Sequence, residues 1–281
     1  MIVFPNCKIN LGLHITGKRD DGYHNLETVF YPVKLYDVLE IIRKENTKTD
    51  TGAVYQASFS STGIVATEIP ENNICLKAYL LLKKDFPDRV SAVEFHLHKT
   101  IPIGAGLGGG SADGAFTLML LNQKFSLDLS EEQLIQYAVQ LGSDCPFFII
   151  NKPCFATGRG EILQAISIDL SAYKILLVNP QIHISTKEAF EKLNPATPVK
   201  SIKEIIQQPV ITWKEELKND FEKSVFEKFP EVETVKKQLY NAGAVYASMS
   251  GSGSTVYGIF KKEETISINF PAHYFTKESV G

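Results

Sequence analysis

The spacing of apolar residues along this chain changes several times, and each change marks an element. Residues 7–15 alternate strictly, with Ile9, Leu11, Leu13 and Ile15 on one side and Lys8, Asn10, Gly12 and His14 on the other. That period of two predicts a half-buried strand. Residues 16–31 form a charged turn closed by Asp21-Gly22, then Tyr23-His24 and a second apolar run, the pattern of a hairpin. Residues 37–43 and 53–61 add strands. Asn72 or Asn73 suits the N-cap of a helix that Pro87 ends. From Val93 to Lys99 the alternation returns, with Val93, Phe95 and Leu97 inward and Glu94, His96 and His98 outward.

Residues 101–121 then read IPIGAGLGGGSADGAFTLMLL, so the predicted order is strand, glycine loop, helix. A loop that feeds a helix start presents free N–H groups, and its glycines let the backbone come close to an anion that the helix dipole already favours. Phosphate is the natural guest. A Walker A loop is excluded because no lysine lies between Ile101 and Asn122. Gly104, Gly106 and Gly109 satisfy the dinucleotide fingerprint, but Pro102 intervenes and no ribose-binding acid follows at the end of a strand. The lysine, H-R-D and D-F-G segments of protein kinases are missing.

Beyond the loop, Ser130 and Gln133 make a capping box for a second helix that Gly142 stops. Asp144 stands between that helix end and the apolar residues 147–150, either as a functional carboxylate or as a cap. A turn at Gly158-Arg159-Gly160 opens the second half. It contains a strand over residues 173–178 and helices over 186–193, 202–207, 221–229 and 231–241. Two alternating strands follow, joined by Gly251-Ser252-Gly253-Ser254, a turn that suits an approaching phosphate or any hairpin.

Composition narrows the class. At 281 residues and 44% hydrophobic content, two α+β domains are expected, residues 1–157 and 158–281. A net charge of −3 with scattered Lys and Arg argues against nucleic acid. The N-terminus has no leader pattern and no apolar run is long enough for a membrane span, so the cytoplasm is expected. Cys7, Cys75, Cys145 and Cys154 are too scattered for a disulfide framework or a zinc knuckle. His96 and His98 share a strand face but have no third metal ligand in sight. Lys8 and Asn10 are either a solvated face or part of a site. Tyr23 and His24 can stack on a base and read its edge, or simply pack on the hairpin.

Taken together, the loop Pro102–Ser111, Lys8-Ile9-Asn10-Leu11, Asp21-Gly22-Tyr23-His24, Gly142-Ser143-Asp144 and Ser250-Gly251-Ser252-Gly253 resemble the GHMP small-molecule kinases. The motifs run along most of the chain. The resemblance implies a two-domain α+β fold with the active site in the cleft between domains. It also implies ATP with Mg²⁺, and an alcohol acceptor carrying a cytidine diphosphate. Asp144 matches the catalytic aspartate and Lys8 the lysine beside it. Pro102, Ile103, Gly104, Ala105, Gly106, Leu107, Gly108, Gly109, Gly110, Ser111 and Ala112 would hold ATP, with Asn73 and Lys99 at its adenosine. Ser111 is the hydroxyl placed for the metal or a phosphate. Asn10 would hold the polyol arm, Tyr23 and His24 the cytosine, and Thr186 and Phe190 its other face; Gly251, Ser252 and Gly253 would lie near phosphate. Cys7 departs from the usual small residue before the lysine, and the tail after His273 is short. A monomer or weak homodimer is expected. Another GHMP kinase acting on homoserine or mevalonate is the nearest rival, and a non-catalytic dinucleotide-binding module the rival from another class.

Overall fold

The computed structural model describes residues 1–43, 57–64, 73–190, 193 and 195–281, with Thr186 described by its backbone alone. In chain order the elements are β1 (Ile2–Val3), β2 (Asn6–Lys18), β3 (His24–Tyr36), β4 (Val38–Arg43), β5 (Ala57–Gly63), α1 (Ile74–Asp85), β6 (Val93–Lys99), α2 (Gly109–Phe125), α3 (Glu131–Leu141), α4 (Cys145–Ile150), β7 (Cys154–Thr157), β8 (Ile162–Ala165), β9 (Tyr173–Asn179), α5 (Thr186–Phe190), α6 (Ile202–Ile205), α7 (Trp213–Glu216), α8 (Phe221–Lys228), α9 (Pro230–Asn241), β10 (Tyr246–Met249), β11 (Val256–Lys261) and β12 (Phe275–Val280). The part of the expected strand at 53–56, and Asn72, lie outside the described residues. No described helix is long and apolar enough to cross a membrane.

These elements form two compact units that interleave along the sequence. The first comprises Met1–Asn6, Tyr36–Ile103 and Gly109–Asn151, and the second Cys7–Leu35, Gly104–Gly108 and Lys152–Gly281.

In the first unit a sheet of order β1-β4-β6-β5 carries the helices α1 to α4. Leu39, Ile41, Val93, Phe95 and Leu97 of the sheet and Tyr79, Leu82, Ala115 and Leu118 of the helices are buried, so the inward face read from the period of β6 is the core face. Asn73 caps α1, its Oδ1 accepting from the N–H of Cys75 at 3.0 Å and of Leu76 at 3.2 Å. Both limbs of the Ser130–Gln133 capping box are present at the start of α3. The apolar residues after Asp144 form the buried helix α4. His96 and His98 hydrogen-bond to Ser60 and Thr62 across the sheet, and among the described residues no group of three or more His, Cys, Asp or Glu side chains could hold a metal.

The second unit contains two four-stranded sheets, β2-β3-β7-β8 and β10-β11-β9-β12. The expected hairpin is β2–β3, closed by hydrogen bonds from Gly22 N–H to Arg19 O and from Arg19 N–H to Tyr23 O. Leu13, Ile15, Val178, Met249, Val256 and Phe260 share one core with Phe221, Val225, Val235 and Leu239 of α8 and α9. The two alternating strands expected over residues 244–260 are β10 and β11, and β10 is buried throughout and β11 at every position but Lys261. The reason is that β11 lies between β10 and β9, has α9 on one face, and donates the Tyr257 hydroxyl to Asn10 O on its other side at 2.8 Å. The residues after His273 are a strand, β12, paired antiparallel to β9 from Phe275↔Asn179 to Val280↔Lys174.

Candidate active site

The polar face of β2 is not solvated. Lys8 and Asn10 are 3% and 2% exposed, and they lie against a pair of glycine turns whose contacting residues, Gly106 and Ser250, are 144 positions apart in the chain. Lys8 donates from Nζ to Asn10 Oδ1 at 2.6 Å and to Gly106 O at 3.2 Å, and it lies over the Phe30 ring at 4.9 Å. Its own N–H donates to Leu107 O at 2.9 Å. Asn10 donates through Nδ2 to Thr28 Oγ1 at 3.0 Å, and its backbone N–H meets Ser250 Oγ at 3.3 Å. Ser250 Oγ in turn donates to Gly106 O at 2.8 Å.

Glycine is required where these turns touch. A Cβ on Gly106, whose φ is +81°, would stand 1.9 Å from Ser250 O, and one on Gly253 would stand 2.2 Å from the Ala105 carbonyl carbon. No side chain fits either gap. Gly251, at φ +58°, turns past Asn10 Oδ1. Gly104 and Gly108 are also left-handed, at φ +67° and +69°. Lys8, Asn10, residues 104–108 and residues 250–253 thus form one hydrogen-bonded group.

A second group forms in the first unit around Lys99. Its Nζ donates to Asp37 Oδ2 and, at 2.8 Å, to Asp113 Oδ2, and all three side chains are buried. Asp37 Oδ1 accepts the N–H groups of Thr100 at 2.6 Å and Ile101 at 2.9 Å, which fixes the chain just before Pro102. Burial alone would lower the Lys99 pKa, but the carboxylates of Asp113 and Asp37 more than reverse this and raise it. Asn73 adjoins this group, since the Cys75 thiol lies 3.9 Å from Asp113 O and Gly114 packs on Ile74.

Asp144 occupies the N-cap position of α4, but its side chain makes no cap hydrogen bond, so the alternative reading as a helix cap does not hold. Ser111 lies in the first turn of α2. Burial pushes the Cys145 thiol up to about 12, opposed by the Ser111 hydroxyl and reinforced by the charge of Asp144, so Cys145 is an inert thiol. Ala112 is buried, whereas Ile103 is 48% exposed and a Cβ on Gly110 would meet nothing.

The aromatic residues meet in the second unit. His24 stacks on Phe190 with centroids 4.6 Å apart and planes at 26°, and Phe190 meets Phe221 edge-on at 4.9 Å. A base between His24 and Phe190 would need roughly twice that stacking gap, so the pair as it stands is closed. Tyr23 is 57% exposed, with Arg159 Cζ 5.0 Å from its ring centroid. Asp37, Asp113, Thr28 and Ser250 are the residues of these groups that sequence reasoning passed over as candidates. Each acts through a partner at least 14 positions away, which no local period reveals.

The chain matches the GHMP kinases N terminal domain over residues 73–152 and the GHMP kinases C terminal domain over residues 201–268. It belongs to the GHMP kinase family, whose members use ATP. A 4-diphosphocytidyl-2-C-methyl-D-erythritol kinase of Bacteroides thetaiotaomicron is 54% identical over 266 residues, 95% of this chain and 94% of that one. One of Cytophaga hutchinsonii is 50% identical over 271 residues, 96% of each chain. A crystal structure of 4-(cytidine 5'-diphospho)-2C-methyl-D-erythritol kinase superposes with a TM-score of 0.78 at 26% identity, covering 100% of both chains. A homoserine kinase from Cytophaga hutchinsonii shares the fold at a TM-score of 0.69 and 14% identity, over 93% of this chain and 85% of that one.

Proposed function

We propose that this chain transfers the γ-phosphoryl group of ATP to the 2-hydroxyl of 4-diphosphocytidyl-2-C-methyl-D-erythritol, giving ADP and the 2-phosphate, in the non-mevalonate route to isoprenoids. The observation that carries the assignment of residues is the hydrogen-bonded group of Lys8, Asn10, residues 104–108 and residues 250–253. The relatives at 50% identity and above carry the choice of acceptor.

Phosphoryl transfer through a loose, in-line transition state asks a protein mainly for positioning and charge stabilisation. Asp144 accepts the proton of the attacking hydroxyl as the new O–P bond forms and the bond to the β–γ bridging oxygen breaks. Lys8, aligned by Asn10 and Gly106 O, neutralises charge at the reacting oxygen. Backbone N–H groups of residues 103–112 hold the phosphates at the start of α2, and Gly251, Ser252 and Gly253 close against them. Asn73 and Lys99 face the adenosine. Asn10 holds the erythritol arm; Tyr23, His24, Thr186 and Phe190 hold the cytosine, with the His24–Phe190 stack opening to admit it. The two family matches fall on either side of a boundary at 157/158, but the compact units do not follow a single cut there, because residues 7–35, 104–108 and 152–157 belong to the second unit.

Mg²⁺ fits this donor set. The Ser111 hydroxyl is a hard oxygen at the start of a helix, and the lack of a three-residue ligand cluster among the described residues suits an ion held chiefly by phosphate oxygens. When bound, it neutralises charge on the phosphates. The enzyme acts on a small molecule in the cytoplasm as a monomer or weak homodimer, without nucleic acid or membrane. The net charge of −3 is consistent with that.

A coupled ADP-release assay with a panel of alcohols tests the acceptor. Saturable turnover is expected with the cytidine diphosphate sugar alcohol, at a kcat/KM far above those for homoserine and mevalonate. Preferred turnover of either rival would overturn the assignment.

A further inference from the structure

The hydrogen bonds of Lys8 continue past the residues that touch it. Lys8 Nζ donates to Asn10 Oδ1 at 2.6 Å, Asn10 Nδ2 donates to Thr28 Oγ1 at 3.0 Å, and the Thr28 hydroxyl donates to Gly12 O. All three side chains are buried. The series runs in one direction only. An ammonium donates and never accepts, so the Asn10 atom that faces Lys8 is the oxygen. A carbonyl accepts and never donates, so the single Thr28 hydroxyl hydrogen goes to Gly12 O, and the Thr28 oxygen is left to accept from the Asn10 nitrogen. Both ends therefore select the same orientation of the Asn10 carboxamide.

The far end of the series is anchored. Gly12 holds φ +70° inside β2, a conformation that other residues avoid in a strand, and its carbonyl is the one that Thr28 meets. Thr28 lies in β3, where it pairs with Ala156 of β7. The preceding side chain, Glu27, points to the opposite face and accepts the N–H of Ile202 at 2.8 Å. The hydroxyl is thus delivered by a strand held on both faces.

We propose that Thr28 is a positioning residue for phosphoryl transfer: its hydroxyl holds the Asn10 carboxamide with Oδ1 toward the Lys8 ammonium, and so aims the cation. Without the hydroxyl, the Asn10 Nδ2 hydrogens and Gly12 O lose this bond inside a buried site, and the carboxamide is no longer fixed from behind. The effect falls on the rate of transfer and not on ATP affinity, because Thr28 acts through Lys8.

This inference rests on the reading that Lys8 neutralises charge at the reacting oxygen, and single-turnover transfer at saturating ATP and acceptor separates the two. The full chain is compared with Thr28→Val, which removes the hydroxyl and keeps the branched shape, and with Thr28→Ser, which does the reverse. Transfer is expected to slow about tenfold in Thr28→Val and to stay within about threefold of the wild type in Thr28→Ser, with equal ATP affinity in all three. A packing role predicts the opposite order, and either that order or equal rates would overturn the inference. If the valine variant folds poorly, Thr28→Ser still tests it: a rate within about threefold sustains the inference, and a loss of about tenfold or more overturns it. Added to Lys8→Met, Thr28→Val should slow transfer no further, since the two residues act as one unit; a full second loss would contradict the route through Lys8. Wild-type transfer by Lys8→Met alone would remove the reading of Lys8 as well, whereas a slow Lys8→Met beside an unimpaired Thr28→Val removes this inference only.

Discussion

Two buried lysines, Lys8 and Lys99, are 3% and 6% exposed, and their surroundings suit them to different work. Lys99 sits between two carboxylates, one of which also fixes the chain before the glycine loop. Its charge is more than matched, which makes it a fixture. Within its own unit Lys8 donates to an amide oxygen and a backbone carbonyl, which hold its direction. The two lysines are thus buried to a similar degree but fixed by different partners within their own units.

The sharpest way to break this comparison is to remove each cation in turn. Lys99→Met leaves two carboxylates buried together, so denaturant unfolding should show a loss of about 3–5 kcal/mol. Lys8→Met should instead lower kcat by about 10²–10³ with a smaller loss of stability. The reverse pattern would exchange the two roles.

Next in size is a contrast between two glycines of the same loop. Gly106→Ala drives a Cβ to within 1.9 Å of Ser250 O at a positive φ, and should cost about 1–3 kcal/mol of stability, together with at least a tenfold rise in KM for ATP. Gly110→Ala meets nothing and should leave stability equal or slightly higher, as expected for a helix position. Comparable damage from both would mean that the contact with Ser250 does not shape the loop.

A smaller effect is expected at the aromatic pair. Phe190→Ala should raise KM for the cytidine substrate about tenfold, the worth of one stacked base, and leave KM for ATP unchanged. An equal rise in both would deny a separate base pocket.

How much of this was legible depended on how far apart the partners lie. The period of β2 put Lys8 and Asn10 on one face, and the glycine pattern located the loop and the start of α2, because both signals are local. Burial of the Lys8 face was not legible, since its cover includes Ser250, 240 positions from Asn10. Asp37 read only as the edge of a strand, and Asp113 carried no local signal of its own. Their shared cation is 62 and 14 positions away. The tail after His273 carries a strand that its polar, exposed residues concealed, because its order comes from pairing with β9.

The central claim of the proposed function is that Asp144 takes the proton from the acceptor hydroxyl. The most direct test is a single-turnover experiment on Asp144→Asn, with ATP and acceptor affinities measured separately. We expect unchanged binding of both ligands and phosphoryl transfer slower by about a hundredfold or more, the usual effect of removing a positioned base. Transfer near the wild-type rate would contradict the account.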